Sequence, residues 1–272
     1  YEGKTIKLGN DIDLSSVCGE NVNGKKINWQ PIGYYNSDED YNVFKGNFNG
    51  QYNSINNLYI NIDKNNINEI YSDYYGLFGW NLGNIENLIM ENVNIYVDFT
   101  NSSKFANHQF IGSIAGENGA KLINIGIKSG NIISINTTQT TKQNRSQRVG
   151  GIVGQSVPKD IISISNSYNN ANITVTNWLG NSSTNTLNMV GGITGTIMSK
   201  VENCYNTGTI IGNNSYTNMV GGIGGRLQNS NSIENAYNKG RIMAQNGSLN
   251  NTGGVVGRIV SSQNCMVINS YY

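Results

Sequence analysis

The side chains that could act as acids, bases, nucleophiles or metal ligands are few and scattered. His108 is the single imidazole of the chain, which excludes HExxH zinc sites and every site that needs two imidazoles. It lies in the polar stretch Phe105-Ala106-Asn107-His108 with no serine or cysteine nucleophile pattern beside it, so a catalytic triad is not indicated and a solvated loop residue is expected. Cys18, Cys204 and Cys265 are odd in number and widely spaced, which excludes a disulfide framework and any CxxC metal signature and leaves at most one pair. Asp11 and Asp13 flank Ile12 on one strand and share a side. Asp38-Glu39-Asp40 forms a short acidic loop, where Asp38 and Asp40 are weak candidates for calcium because hard cations take several carboxylate oxygens. A strand end and a solvated turn are the favoured explanation of these acids, and no metal or cofactor is expected.

The elements that must position these groups are short strands. Of the 272 residues 13% are charged, Pro occurs twice and Gly 33 times, and Asn fills the gaps between brief runs of Ile, Val and Leu, as in a chain of many strands and turns. Alternating runs such as Thr5-Ile6-Lys7-Leu8 and Ile132-Ile133-Ser134-Ile135 are common, and no segment sustains helical spacing. The formal net charge is +1, so the whole chain carries no footprint for nucleic acid or an anionic membrane. No apolar run approaches the roughly 20 residues of a transmembrane helix, and Tyr1-Glu2-Gly3-Lys4-Thr5 is not a signal peptide. Both termini read as cuts within a longer protein.

A glycine-framed strand recurs: YGLFG, GSIAG, GGIVG, GGITG, GGIGG and GGVVG, ending at Gly79, Gly116, Gly154, Gly195, Gly225 and Gly257, at intervals of 37, 38, 41, 30 and 32 residues. A second strand follows with an asparagine at one equivalent place, Asn87, Asn124, Asn166, Asn203, Asn235 and Asn269, and four of the six continue to Tyr168, Tyr205, Tyr237 or Tyr271. A third short strand, such as Gly208-Thr209-Ile210, completes the unit. A unit of this size with no helix cannot bury its own apolar face and must stack on copies of itself. The fold expected is all-β, a right-handed parallel β-helix with three short strands per coil, rising about 4.8 Å per coil. One domain is expected over 1–272, with irregular N-terminal coils in 1–74 and glycine-framed repeats in 75–272. The asparagine column is expected to be a structural ladder of stacked amides. The glycines mark turns or close backbone approach, and no phosphate loop is indicated.

Together with Asp11-Ile12-Asp13-Leu14, the box Trp29-Gln30-Pro31-Ile32-Gly33 and the segment from Phe44 to Leu58, FKGNFNGQYNSINNL, the GGIVG and GGITG units resemble the GLUG-repeat family of bacterial surface proteins over nearly the whole chain. GSIAG and YGLFG, with Tyr75 at the first glycine position, depart from the pattern. The resemblance implies the β-helical parts of adhesins, or the non-catalytic regions of immunoglobulin A1-cleaving metallopeptidases, and extracellular display, secreted or attached to the cell surface.

Insertions fall before each glycine-framed strand, at 100–109, 136–148, 177–188, 212–218 and 245–251. At one register they must stack on one side of the rod, where solenoids often bind. Lys142, Arg145, Arg148, Trp178 and Tyr216 are the candidate ligand contacts on this ridge, since aromatic faces and amides suit sugars. The function expected is non-catalytic: an adhesin-like module that binds a host glycan or host surface protein and is attached to further domains, without nucleic acid. An accessory or spacer region of a secreted metallopeptidase is the alternative. A polysaccharide lyase or hydrolase is the second, and it needs clustered acids or bases on one outer face. Glu86, Glu202 and Glu234 recur at one position, but Ile123, Ser165 and Ile268 interrupt them and no general acid faces them. A cut solenoid exposes sheet edges, and caps or native neighbours are expected over them.

Overall fold

The computed structural model describes residues 2–37, 40–66, 73–100, 108–139, 145–157, 163–181, 185–260 and 264–272. Among them every strand pair from one coil to the next is parallel and in register, and the only helix is the 3-10 turn Leu14–Ser16. The chain is a parallel β-helix. One coil shows the path: Leu187–Gly191, a bend, Thr194–Ile197, then Lys200–Glu202, Tyr205–Asn206 and finally Ile210–Asn213. Stacked on their equivalents, these build a leading sheet from Tyr74–Tyr75 to Leu249–Gly253 and a trailing sheet from Phe78–Asn81 to Val256–Ile259. A long sheet runs from Thr5–Lys7 to Met266–Ile268, and a back sheet from Tyr59–Ile62 to Ile242–Gln245.

The three strands expected per coil are therefore five in this coil, for two physical reasons. The glycine-framed strand folds at its paired glycines, so its halves face each other in the leading and trailing sheets. At the third glycine two backbones meet: a Cβ on Gly195 would stand 2.7 Å from Met189 O and 2.5 Å from Val149 N. The next strand breaks here at Asn203, a member of the column in which Asn87, Asn124, Asn166, Asn203, Asn235 and Asn269 all adopt φ between 47° and 57°. Asparagine enters this left-handed region at lower cost than other L-residues.

Apolar columns fill the interior. Ile85, Leu122, Ile164, Val201 and Ile233 are successive register partners in the long sheet, and Ile95, Ile132, Ile173 and Ile210 in the back sheet, all buried. Each such side chain contributes about 1.5–3 kcal/mol relative to exposure, which is what lets a chain so rich in Asn fold. A second asparagine column lies inside. Asn169, Asn206 and Asn238 are buried, and Asn169 Nδ2 donates to Asn206 Oδ1 (2.8 Å), Asn206 Nδ2 to Asn238 Oδ1 (2.7 Å), and each Nδ2 also to the carbonyl two residues on. The second glycine of each frame makes room for it: a Cβ on Gly151, Gly192 or Gly222 would stand 2.3 to 2.4 Å from Asn169, Asn206 or Asn238 side-chain carbon.

The N-terminal coils carry two antiparallel hairpins, Gly19–Val22 with Lys25–Ile27 and Tyr34–Ser37 with Asp40–Asn42. Asn28 and Trp29 cover the first edge of the back sheet: Trp29 N donates to Tyr59 O (2.8 Å), and Asn61 N to Asn28 Oδ1 (2.6 Å).

Candidate functional site

The loops between the back sheet and the leading sheet all leave the rod at one register. Trp178 and Tyr216, from consecutive coils, are half-buried there, and Leu179 beside them is 46% exposed. Thr186 joins them: its Oγ1 donates to Trp178 O (2.9 Å) and accepts from Tyr216 N (2.9 Å). Leu249 N of the next coil donates to Tyr216 O (2.9 Å), and the Leu249 side chain is half exposed. The result is a strip of partly exposed aromatic and aliphatic groups over consecutive coils, which can hold an apolar face.

The remaining candidates distribute differently. Arg145, read from the sequence as a ridge contact, is 1% exposed; its guanidinium turns inward, donating to Thr138 O and to Asn136 Oδ1 at the end of the back-sheet strand Gly130–Asn136. Burial lowers its pKa to about 10. It closes the loop, because a buried guanidinium needs such acceptors. Arg148 lies on the leading sheet, its guanidinium 4.8 Å from the Phe110 ring centre. Lys142 and Asp38 lie outside the described residues, and Asp40 is described only as part of the strand Asp40–Asn42. His108 begins a strand rather than sitting in a loop: its register partner is Ser146, whose Oγ is 2.8 Å from Nδ1, and burial followed by the Arg148 charge lowers its pKa.

The acidic candidates are engaged within the fold. Asp11 Oδ1 accepts from Ser54 N (2.7 Å), and Asp13 Oδ1 from Asn57 Nδ2 (2.7 Å) and Ser15 N (2.8 Å), which holds both carboxyls below their ordinary range. Glu86 accepts from Asn49 (2.6 Å), and Lys200 bridges Glu202 (2.7 Å) and Glu234 (3.0 Å). The three cysteines are free, and burial pushes the Cys204 thiol up to about 12, which leaves it protonated and inert. The outer asparagine column bonds amide to amide, Asn124 to Asn87 (2.7 Å), Asn203 to Asn166 (3.1 Å), Asn235 to Asn203 (3.2 Å) and Asn269 to Asn235 (3.3 Å). The inner column was not singled out in the sequence. Its signal is the dipeptide Tyr-Asn at 168–169, 205–206 and 237–238, whose tyrosines stack at 5.1 Å with planes 8° apart.

Where the leading and trailing sheets face each other, side chains meet in a narrow seam. Tyr74 stacks on Trp80 (5.8 Å) and Phe110 (4.7 Å), and Thr196 Oγ1 lies 3.2 Å from Met189 Sδ. Glu117 is 7% exposed here, and burial pushes its carboxyl from an ordinary 4.5 up to about 7, against the opposing pull of Arg148 and a Gln155 hydrogen bond. A carboxyl whose pKa is raised by folding contributes stability that is full below about pH 4.5 and is lost as pH rises through about 7. The expected outcome is a fall of about 3 kcal/mol in unfolding free energy across that window from this group. Glu117→Gln should flatten the slope, checked by denaturant titrations at pH 4.5 to 8. Identical slopes in the two proteins would contradict this.

The stacked coils, their inner amide column and the one-sided loops define the class: a parallel β-helix of short, loop-bearing coils. No family model and no curated protein matches the chain. Among solved structures it is similar to a "putative immunoglobulin A1 protease" from Bacteroides ovatus, with a TM-score of 0.61 and 20% identity, over 100% of this chain and 69% of that one. At that identity the likeness shows the shared fold.

Proposed function

We propose that this chain is a non-catalytic β-helix module of a bacterial surface or secreted protein, displayed outside the cell, which binds a host glycan or host surface protein through its ridge of stacked loops. The observation that carries this reading is the pairing of Trp178 with Tyr216 through Thr186 on consecutive coils, half-buried and beside exposed Leu179. Aromatic side chains have few rotatable bonds and lose little entropy on contact with a ligand. The engaged state of Asp11, Asp13, Glu86, Glu202 and Glu234 favours recognition over acid–base work by these groups. The glycine-framed motifs resembling GLUG repeats support display at a cell surface.

A second reading, an accessory or spacer region of a secreted peptidase, is favoured by the name carried by the Bacteroides ovatus protein of the same fold. One experiment separates the two. The purified chain is applied to a mixed array of glycans, mucins, immunoglobulins and matrix proteins at low and physiological salt. Saturable binding to a defined partner is the expected result; silence across the array would leave the spacer reading in its place.

A further inference from the structure

The seam changes its electrostatic character along the rod. Around Glu117 it balances itself: the half-buried Arg148 guanidinium draws the carboxylate and rests on Phe110. Further along the trailing sheet the register partners are Thr196, Arg226 and Arg258, and the facing leading strands present Met189, Met219 and Asn251 in turn. No acid stands among the described residues of these coils of the seam. Among the described residues Arg226 Nε is buried without a hydrogen-bond partner, and neither Arg226 nor Arg258 is in an ion pair. Burial first, then the Arg258 charge, lowers the pKa of Arg226.

Like charges directly opposite on neighbouring strands are destabilising. Elsewhere in this chain a lysine meets a glutamate across coils, as in Lys128 with Glu91 and Lys200 with Glu234. An arginine pair stacked at the coil spacing without an acid suits anions that repeat along one direction. The guanidinium fork matches carboxylate and sulfate oxygens in pairs, which an ammonium does not.

We propose that Arg226 and Arg258 form an anion-binding strip that takes an acidic polysaccharide, carboxylated or sulfated, lying along the rod. Nucleic acid is the less fitting polyanion, because its binding calls for a broad basic surface and this chain has a net charge of +1. The strip stands independently of the loop ridge, since Trp178 and Tyr216 take no part in it.

The test is a binding titration of the whole chain with heparin, polygalacturonate, neutral dextran and a single-stranded DNA oligomer, at low salt and at about 0.15 M ionic strength. The expected result is binding of at least one acidic polysaccharide at both salts and none of dextran. Arg226→Gln with Arg258→Gln should weaken that binding by at least about tenfold, equivalent to 1.4 kcal/mol, with no fall in the thermal midpoint. Arg226→Lys with Arg258→Lys should recover only part of the affinity, because the charge returns without the fork. Three outcomes overturn the proposal: no acidic polysaccharide bound at the higher salt, equal binding by the parent and the double glutamine variant, or DNA bound as tightly as the polysaccharides. Loss of affinity on Trp178→Ala with the arginines intact also counts against it, since it would move the anion to the loop ridge.

Discussion

Asn206→Ala is expected to destabilise this protein by roughly 2–4 kcal/mol, several times the cost of removing Asn203 three residues away. Asn206 is buried, and its amide makes three bonds: Nδ2 donates to Asn238 Oδ1 (2.7 Å) and to Gly208 O (2.8 Å), and Oδ1 accepts from Asn169 Nδ2 (2.8 Å). Alanine leaves Gly208 O without that donor, interrupts the column between Asn169 and Asn238, and opens a void against Gly192. Asn203 is exposed, so water replaces its amide partners, and its φ of 53° is the main constraint. Asn203→Ala should cost about 1 kcal/mol for the left-handed backbone, and Asn203→Gly close to nothing. Urea unfolding of the three variants measures the contrast. Equal losses for Asn206→Ala and Asn203→Ala would mean that the inner amides are no more important than the outer ones.

Gly192→Ala should be comparably severe, for the complementary reason. The added methyl would stand 2.2 Å from Gly222 O and 2.4 Å from Asn206 Cγ. Neither neighbour can yield cheaply, since one is backbone of the next coil and the other is pinned by three bonds. A loss of about 3 kcal/mol, at the upper end for overpacking, is expected. Gly9→Ala is the control, because a Cβ there meets nothing within 4 Å and the backbone is not left-handed. That change should be neutral or stabilise by about 0.4–1 kcal/mol through the unfolded chain. Thermal unfolding of the two variants distinguishes a motif glycine chosen for space from one merely tolerated in a turn.

The columns were legible in the sequence because a solenoid writes its contacts as a repeat. The asparagine that follows each of them places Glu86, Ile123, Ser165, Glu202, Glu234 and Ile268 at one position, and these are successive register partners. The folding back of the framed strand was not legible, since it depends on how closely two backbones approach rather than on any alternation. Polarity also misled at His108, which reads as loop but pairs with Ser146 in a strand. Arg145 reads as a surface cation because charge favours water, yet the buried Asn136 amide and the Thr138 carbonyl turn it inward. Tyr-Asn repeats carried the inner ladder in plain view, but alternation alone does not say which of two asparagine columns faces the core.

The amide columns are scaffold, and the loop ridge is the proposed recognition surface. The most direct measurement compares the parent, the double variant Trp178→Ala with Tyr216→Ala, and Asn203→Gly for affinity toward the array-identified partner, with thermal unfolding of each recorded alongside. The ridge variant is expected to lose binding while keeping its unfolding midpoint, and Asn203→Gly to keep both. Undiminished binding by the ridge variant, or binding lost in Asn203→Gly with the fold intact, would contradict this.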